Sequence, residues 1–248
     1  MNKCKNCERN FEGKFCNNCG QKSRVSRVDY KYLLNEISEN LLQVNHGFFY
    51  TLKELSLRPG KNIRSFLEGK RVSHFKPLAY LLLTSTLYVL AIFFLDLNTV
   101  TNDLVSGFTT ASSNDGTEIG STALSFFDWL AKNHTFMLLL TIPLFSLASY
   151  IAFIKSGYNY FEHLVLNIYI TGQQMIIYLL LSTIVTKDEI TEIIPFSSAI
   201  IFNFWAYYQF FQLKNSHTKI FLTLLTYVIF SIQLLILILV GLYLVNLK

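Results

Sequence analysis

The sequence predicts an all-α polytopic membrane protein, with about five transmembrane helices behind a small cysteine-rich N-terminal module and a stretch of amphipathic helices. Three observations lead there. Of the 248 residues, 52% are hydrophobic and 15% charged, against roughly 25% charged in an ordinary soluble domain. Uncharged apolar runs near the ~20 residues needed to cross a ~30 Å hydrocarbon core recur five times. Charge is divided unevenly: residues 1–76 hold 15 Lys/Arg and 7 Asp/Glu, and residues 77–248 hold 6 and 9. The net +5 therefore conceals a +8 segment and a −3 segment. This balance argues against a soluble enzyme and a disordered chain, and 38 aromatics with only 4 Pro and 11 Gly exclude a Pro/Gly-rich linker or collagen-like chain. Three parts follow: residues 1–22, 23–76 and 77–248.

All four cysteines lie in the first part, as Cys4-x2-Cys7 and Cys16-x2-Cys19. Each pair offers two thiolates from one tight turn, and two such turns complete a tetrahedral four-sulfur site suited to structural Zn2+, with no open position for catalysis. The eight intervening residues allow a small hairpin through Phe11 and Phe15. Gly20 follows the second pair, where positive φ helps amides point at sulfur; Glu8 follows the first pair, which lacks that glycine. Disulfide, redox and iron readings compete. A reducing location disfavours disulfides, and no βαβ pattern surrounds a CxxC. The first thirty residues lack the apolar core of a signal peptide, so a non-exported N-terminus is expected.

In the second part, Tyr30, Leu33, Leu34, Ile37, Leu41 and Val44 recur at helical spacing and predict an amphipathic helix over 30–44. Asp29 is its expected N-cap and Gly47 its stop, with Glu36 on the polar face. Shorter helices are expected over 48–57 and 62–68, the latter closed by Gly69. Arg58, Lys61, Arg64, Lys70, Arg71 and Lys76, with Lys53, are candidates to hold anionic headgroups. Equally, they satisfy a positive-inside bias while packing on a bundle. Interspersed acids and membrane tethering disfavour nucleic acid as a partner.

The spans are expected over 78–95, 135–154, 164–186, 195–213 and 220–247. Pro77 starts the first, Pro143 should kink the second, and the last exceeds what a bilayer requires. Basic flanks fall at the N-terminal segment, Lys155, and Lys214 with Lys219, all on one side, which predicts a cytoplasmic N-terminus and an external C-terminus. The fourth span, with Asn203, Gln209 and Gln212, is the one that could be re-entrant. Residues 98–133 read as an external loop rich in Ser, Thr, Asn, Asp and Gly, with an interfacial aromatic helix at 123–130.

Inside the third span, Glu162 and His163 sit at the cytoplasmic mouth, and His163, Asn167, Thr171 and Gln174 share one helical face. That stripe lines a polar path or bonds between helices. The chain has no His-Glu-x-x-His, Gly-x-Ser-x-Gly, P-loop or Gly-x-Gly-x-x-Gly motif, and no catalytic residues are assigned.

Cys4 to Lys22, Asn45-His46-Gly47-Phe48, Thr51-Leu52-Lys53, Arg58-Pro59-Gly60, Gly69-Lys70-Arg71, Phe75-Lys76-Pro77 and Tyr160-Phe161-Glu162-His163-Leu164 together resemble a bacterial family of multi-pass membrane proteins of unknown function with an N-terminal zinc ribbon. The resemblance covers nearly the whole chain and is most specific between His46 and Pro77. It implies a ribbon joined to a multi-span domain and carries no activity. The expected role is a non-enzymatic adaptor whose ribbon and basic helices bind membrane lipids or a cytoplasmic protein. The alternative is a transporter or channel using the span-three stripe.

Overall fold

A computed structural model describes residues 2–38, 47–95, 134–184 and 193–246. The expected external loop, its interfacial helix at 123–130, His46 and the end of the first amphipathic helix lie outside them. Among the described residues the protein is mostly helical. Strands β1 (Asn2–Lys3) and β2 (Asn10–Phe11) precede α1 (Tyr30–Ser38), α2 (Gly47–Leu57), α3 (Pro59–Leu67), α4 (Pro77–Leu95), α5 (His134–Ala152), a 3-10 turn (Ile154–Ser156), α6 (Tyr160–Ile184), α7 (Ile193–Phe210) and α8 (Ser216–Asn246).

The N-terminal module is a two-stranded antiparallel ribbon, with Asn2 opposite Phe11 and Lys3 opposite Asn10. An isolated bridge between Phe15 and Lys22 forms its second half. Phe11 packs on the cysteines, whereas Phe15 is 54% exposed.

Helix starts follow local chemistry. Asp29 Oδ1 accepts the Tyr32 amide at 2.8 Å and caps α1. The buried face of α1 differs from the one expected: Leu33 and Glu36 are buried, while Tyr30 and Leu34 are 52% and 58% exposed. Gly47, expected as a helix stop, is itself helical as the first described residue of α2, and a Cβ there would lie 2.9 Å from the Ser73 carbonyl oxygen. Helix α3 begins earlier than expected, because Pro59 needs no amide partner in the first turn. Gly69, at φ +110°, ends it: the Gly69 amide donates to Phe66 O and that of Lys70 to Ser65 O, the Schellman arrangement.

Helix α6 is the centre, touching α2, α3, α4, α5 and α7. Tyr80 bonds Gln173, and Tyr88 stacks edge-on with Tyr178, so α4 and α6 run parallel. Ser149 meets His163 and Ser146 meets Asn167, so α5 runs antiparallel to α6. Tyr207 meets Asn167 and Gln174 meets the Ala199 carbonyl, which makes α7 antiparallel too. Phe204 stacks on Tyr227 and Tyr208 reaches Ser216, reversing direction again into α8. The five long helices thus alternate in direction, and α7 is continuous through Asn203 and Gln209 and ends before Gln212.

Only Tyr160–Thr183 and Ser216–Leu237 are long and apolar enough by themselves to cross a membrane among the described residues. Pro77–Ala91 and Thr141–Ala152 are apolar but shorter. The expectation of five spans is cut back accordingly: length and hydropathy qualify two helices of a five-helix bundle.

Helix α3 approaches α7 backbone to backbone. A Cβ on Gly60 would stand 2.3 Å from the Phe210 nitrogen and 2.5 Å from the Gln209 carbonyl carbon, atoms that cannot rotate aside. Gly60→Ala should therefore lower stability by about 1–3 kcal/mol, read as a lower melting temperature of the purified protein.

Candidate metal centre

Two knuckles with the same backbone plan bring the cysteines together. In the first, the Glu8 amide donates to Cys4 O at 2.9 Å and the Cys4 amide to Arg9 O at 2.9 Å. In the second, Gly20 donates to Cys16 O and Cys16 to Gln21 O, both at 2.8 Å. Both fifth positions are left-handed, Gly20 at φ 74° and Glu8 at φ 63°. The missing glycine is thus a glutamate taking the same conformation. All four Sγ atoms lie within 4.8 Å of one another, with Cys4 to Cys19 at 3.5 Å and Cys7 to Cys16 at 3.6 Å.

None of the four forms a disulfide. A tetrahedral site with metal–sulfur bonds of about 2.3 Å has sulfur–sulfur edges of about 3.8 Å, so the four thiols fit one metal ion. The Arg9 amide draws the Cys7 thiol down to about 6, and burial pushes Cys19 up to about 11.

The module is fastened to the helices. Gln21, in the second knuckle, accepts the Arg71 amide through Oε1 at 3.2 Å. Arg27 donates from Nε to Glu162 Oε1 at 2.7 Å, and from Nη2 to Glu162 Oε2 at 2.6 Å and Gly157 O at 2.7 Å. Glu162 also takes part in a capping box with Asn159 at the start of α6: the Glu162 amide donates to Asn159 Oδ1 at 2.9 Å and the Asn159 amide to Glu162 Oε2 at 2.8 Å.

Residues 45–89 match the family described as "Protein of unknown function (DUF3667)". The matched segment is α2, α3, the connection to α4 and the first part of α4; it excludes the cysteine module. No curated protein and no solved structure is similar to the chain at a significant level.

Within and beside the matched segment, the six candidate lipid contacts separate. Arg58 and Lys61 are exposed. Arg64 donates to Phe210 O at 3.0 Å and so caps the end of α7. Arg71 donates to Ser26 O at 2.9 Å and lies 4.5 Å over the Tyr32 ring and 5.4 Å from that of Phe66. Lys70 and Lys76 are half-buried.

The span-three stripe is packed between helices. His163 is fully buried and its Nδ1 lies 2.9 Å from Ser149 Oγ. Asn167 donates to Ser146 Oγ, Ser149 Oγ and the His163 carbonyl, and its Oδ1 accepts from Tyr207 at 2.8 Å. Gln174 donates to the Ala199 carbonyl at 2.9 Å, while Thr171 and Gln174 are half-buried. Asn203, Gln209 and Gln233, polar residues of α7 and α8, do not supply these bonds.

Two functional side chains escaped the sequence reading. Arg27 has no local sequence signal, because its partner is 135 residues away. Glu36 was placed on the polar face of α1, yet it is 2% exposed and its Oε1 accepts the Leu78 amide at 2.9 Å. The first turn of α4 has free amides that a carboxylate satisfies, and that demand outweighs solvation of the side chain. Burial pushes Glu36 up to about 7.

Replacing Arg27 leaves Glu162, 5% exposed, without its cation, while Arg27 itself is 59% exposed. Arg27→Gln should weaken docking by on the order of 1–2 kcal/mol, seen as faster tryptic cleavage after Arg24. Because Glu36 is raised in the folded protein, its contribution to stability is full below about pH 4.5 and lost as pH rises through about 7. Glu36→Gln should therefore melt above the wild type at pH 8, with the difference closing toward pH 5 in a melting series.

Proposed function

We propose that this chain is an integral inner-membrane protein in which a zinc ribbon on Cys4, Cys7, Cys16 and Cys19 is held against the cytoplasmic end of a five-span bundle. There it serves as a non-enzymatic adaptor. The observation that carries this is the fastening of a four-thiol module to the first turn of α6 through Arg27 and Glu162. Four-sulfur sets suit zinc, and its closed coordination shell suits a structural role.

Membrane insertion is supported by the outer face of α8, where Phe221, Leu224, Val228, Ile232, Leu235 and Leu239 are each more than half exposed. In lipid that face needs no protein cover. The alternating directions of α4 to α8 agree with an internal N-terminus and an external C-terminus. The basic Lys155 and Lys219 then fall at the same end as the ribbon, as the positive-inside rule requires. Hydrogen bonds closing the Asn167 cluster favour this reading over a transport path along α6. The ribbon surface left uncovered, with Lys14 and Phe15, suits a cytoplasmic protein partner.

The test measures metal content and location together. Purified protein should hold about one zinc per chain, as expected of one four-thiolate site, and reporter fusions after Lys155 and Lys214 should read as cytoplasmic and after Lys248 as external. Cys16→Ser should lose the zinc while the helical domain stays in the membrane fraction. Absence of zinc from the wild type, or a soluble wild-type chain, would overturn the reading.

A further inference from the structure

Among the described residues, helix α2 presents a face that stays exposed, apart from the edge of Tyr50 that meets the His74 ring. Phe49, Lys53 and Leu57 follow at intervals of four, with Tyr50 beside them; Phe49 is 77% exposed, Tyr50 43% and Leu57 55%. The opposite face, Gly47, Phe48, Thr51 and Leu55, is buried. Arg58 and Lys61 continue the exposed surface into α3. Three cations beside three large apolar side chains make a surface that is apolar and positive at once.

Its place in the bundle decides what it faces. Phe48 packs on Phe75 and Tyr80 at the start of α4. Ser56, on the same side of α2 as Phe49, accepts from Gln173 Nε2 at 2.9 Å. Gln173 lies thirteen residues into α6, about 20 Å along its axis. Because Gln173 also accepts from Tyr80, α2 lies across the bundle at the level where α4 begins.

From this geometry we infer that α2 is an in-plane membrane anchor: Phe49, Tyr50 and Leu57 insert among the acyl chains of the cytoplasmic leaflet, and Lys53, Arg58 and Lys61 hold anionic phospholipid headgroups. Amphipathic faces of this composition gain from apolar burial and from headgroup attraction together, and the long Lys and Arg stems let charge reach the headgroups from beside buried rings. The inference rests on the membrane reading above and adds to it a lipid class and a contact surface. Arg64 and Arg71, committed to protein carbonyls, take no part.

Lipid quenching separates the two claims. The full chain is reconstituted in phosphatidylcholine/phosphatidylglycerol vesicles in which one lipid or the other is brominated on its acyl chains. A Trp129→Phe variant leaves Trp205 of α7, 37% exposed, as the reporter of the bundle. A Trp129→Phe/Trp205→Phe/Phe49→Trp variant reports on α2, and retained zinc confirms its folding. Both reporters should be quenched by brominated lipid. The Phe49→Trp reporter should be quenched about twofold more by brominated phosphatidylglycerol than by brominated phosphatidylcholine, a preference that Lys53→Gln/Arg58→Gln/Lys61→Gln removes. Quenching of the Phe49→Trp reporter by aqueous acrylamide but not by lipid, with Trp205 still lipid-quenched, overturns the anchor and points to a protein-covered or solvated face. Equal quenching by the two lipids overturns the anionic preference. If Trp205 is not lipid-quenched either, the membrane reading itself fails.

Discussion

The carboxylate of Glu162 is where the segment leaving the ribbon meets the helical bundle. It begins α6, closes a capping box with Asn159 and receives both arms of Arg27 from the segment leaving the ribbon. Burying a charge is costly unless it is paired and its lone pairs are filled. Here two guanidinium nitrogens and one amide fill them, at the end of a helix where negative charge is favoured. The pairing also fixes register. With Arg27 held, Val28 enters the core, and its carbonyl accepts from Asn159 Nδ2 at 3.0 Å. Asp29 is then placed to start α1, whose Glu36 reaches the first turn of α4.

Deeper in the bundle, buried polar groups specify how the helices sit. Asn167 touches three hydroxyls on two helices, Ser146, Ser149 and Tyr207, and sliding α5 or α7 by a turn would strand several of these groups. Such bonds add only about 0.5–1.5 kcal/mol of net stability each. Their value lies in the cost of the misaligned alternatives. Tyr169 acts similarly toward α2 and the start of α4, donating to the Phe75 carbonyl while the Phe75 amide donates to Thr51 Oγ1.

What the sequence made legible is what local spacing encodes. Two CxxC pairs announced four converging sulfurs, apolar runs announced α4 to α8, and Asp29 and Pro77 marked helix starts. The rest depends on partners far along the chain. Glu36 has the spacing of a solvated residue on α1, and only the arrival of the Leu78 amide turns it inward. Gly47 has the pattern of a helix stop, but the close approach of Ser73 makes it a packing glycine. Arg64 and Arg71 counted as basic surface until the Phe210 and Ser26 carbonyls were beside them. Even the polar stripe on α6 was visible as a stripe, while its partners, serines of α5 and a tyrosine of α7, carried no sequence mark of their own.

The same long-range contacts tie the four-cysteine cluster to the helices it sits on. A module of about twenty residues has too little core to fold alone, so metal binding would supply most of its folding free energy. The knuckle of Cys16 and Cys19 ends at Gln21, whose carbonyl accepts the Cys16 amide and whose side chain accepts the Arg71 amide. Arg71 lies over Tyr32 and Phe66, and Phe66 packs edge-on against Tyr169 of α6. The path from sulfur to the central helix is therefore a short series of packed and hydrogen-bonded groups, each of which needs the one before it in place. A ribbon joined by a free tether could lose its metal without consequence for the bundle. This one, clamped at Gln21 and again at Arg27, transmits its order to the α3–α4 connection and the start of α6.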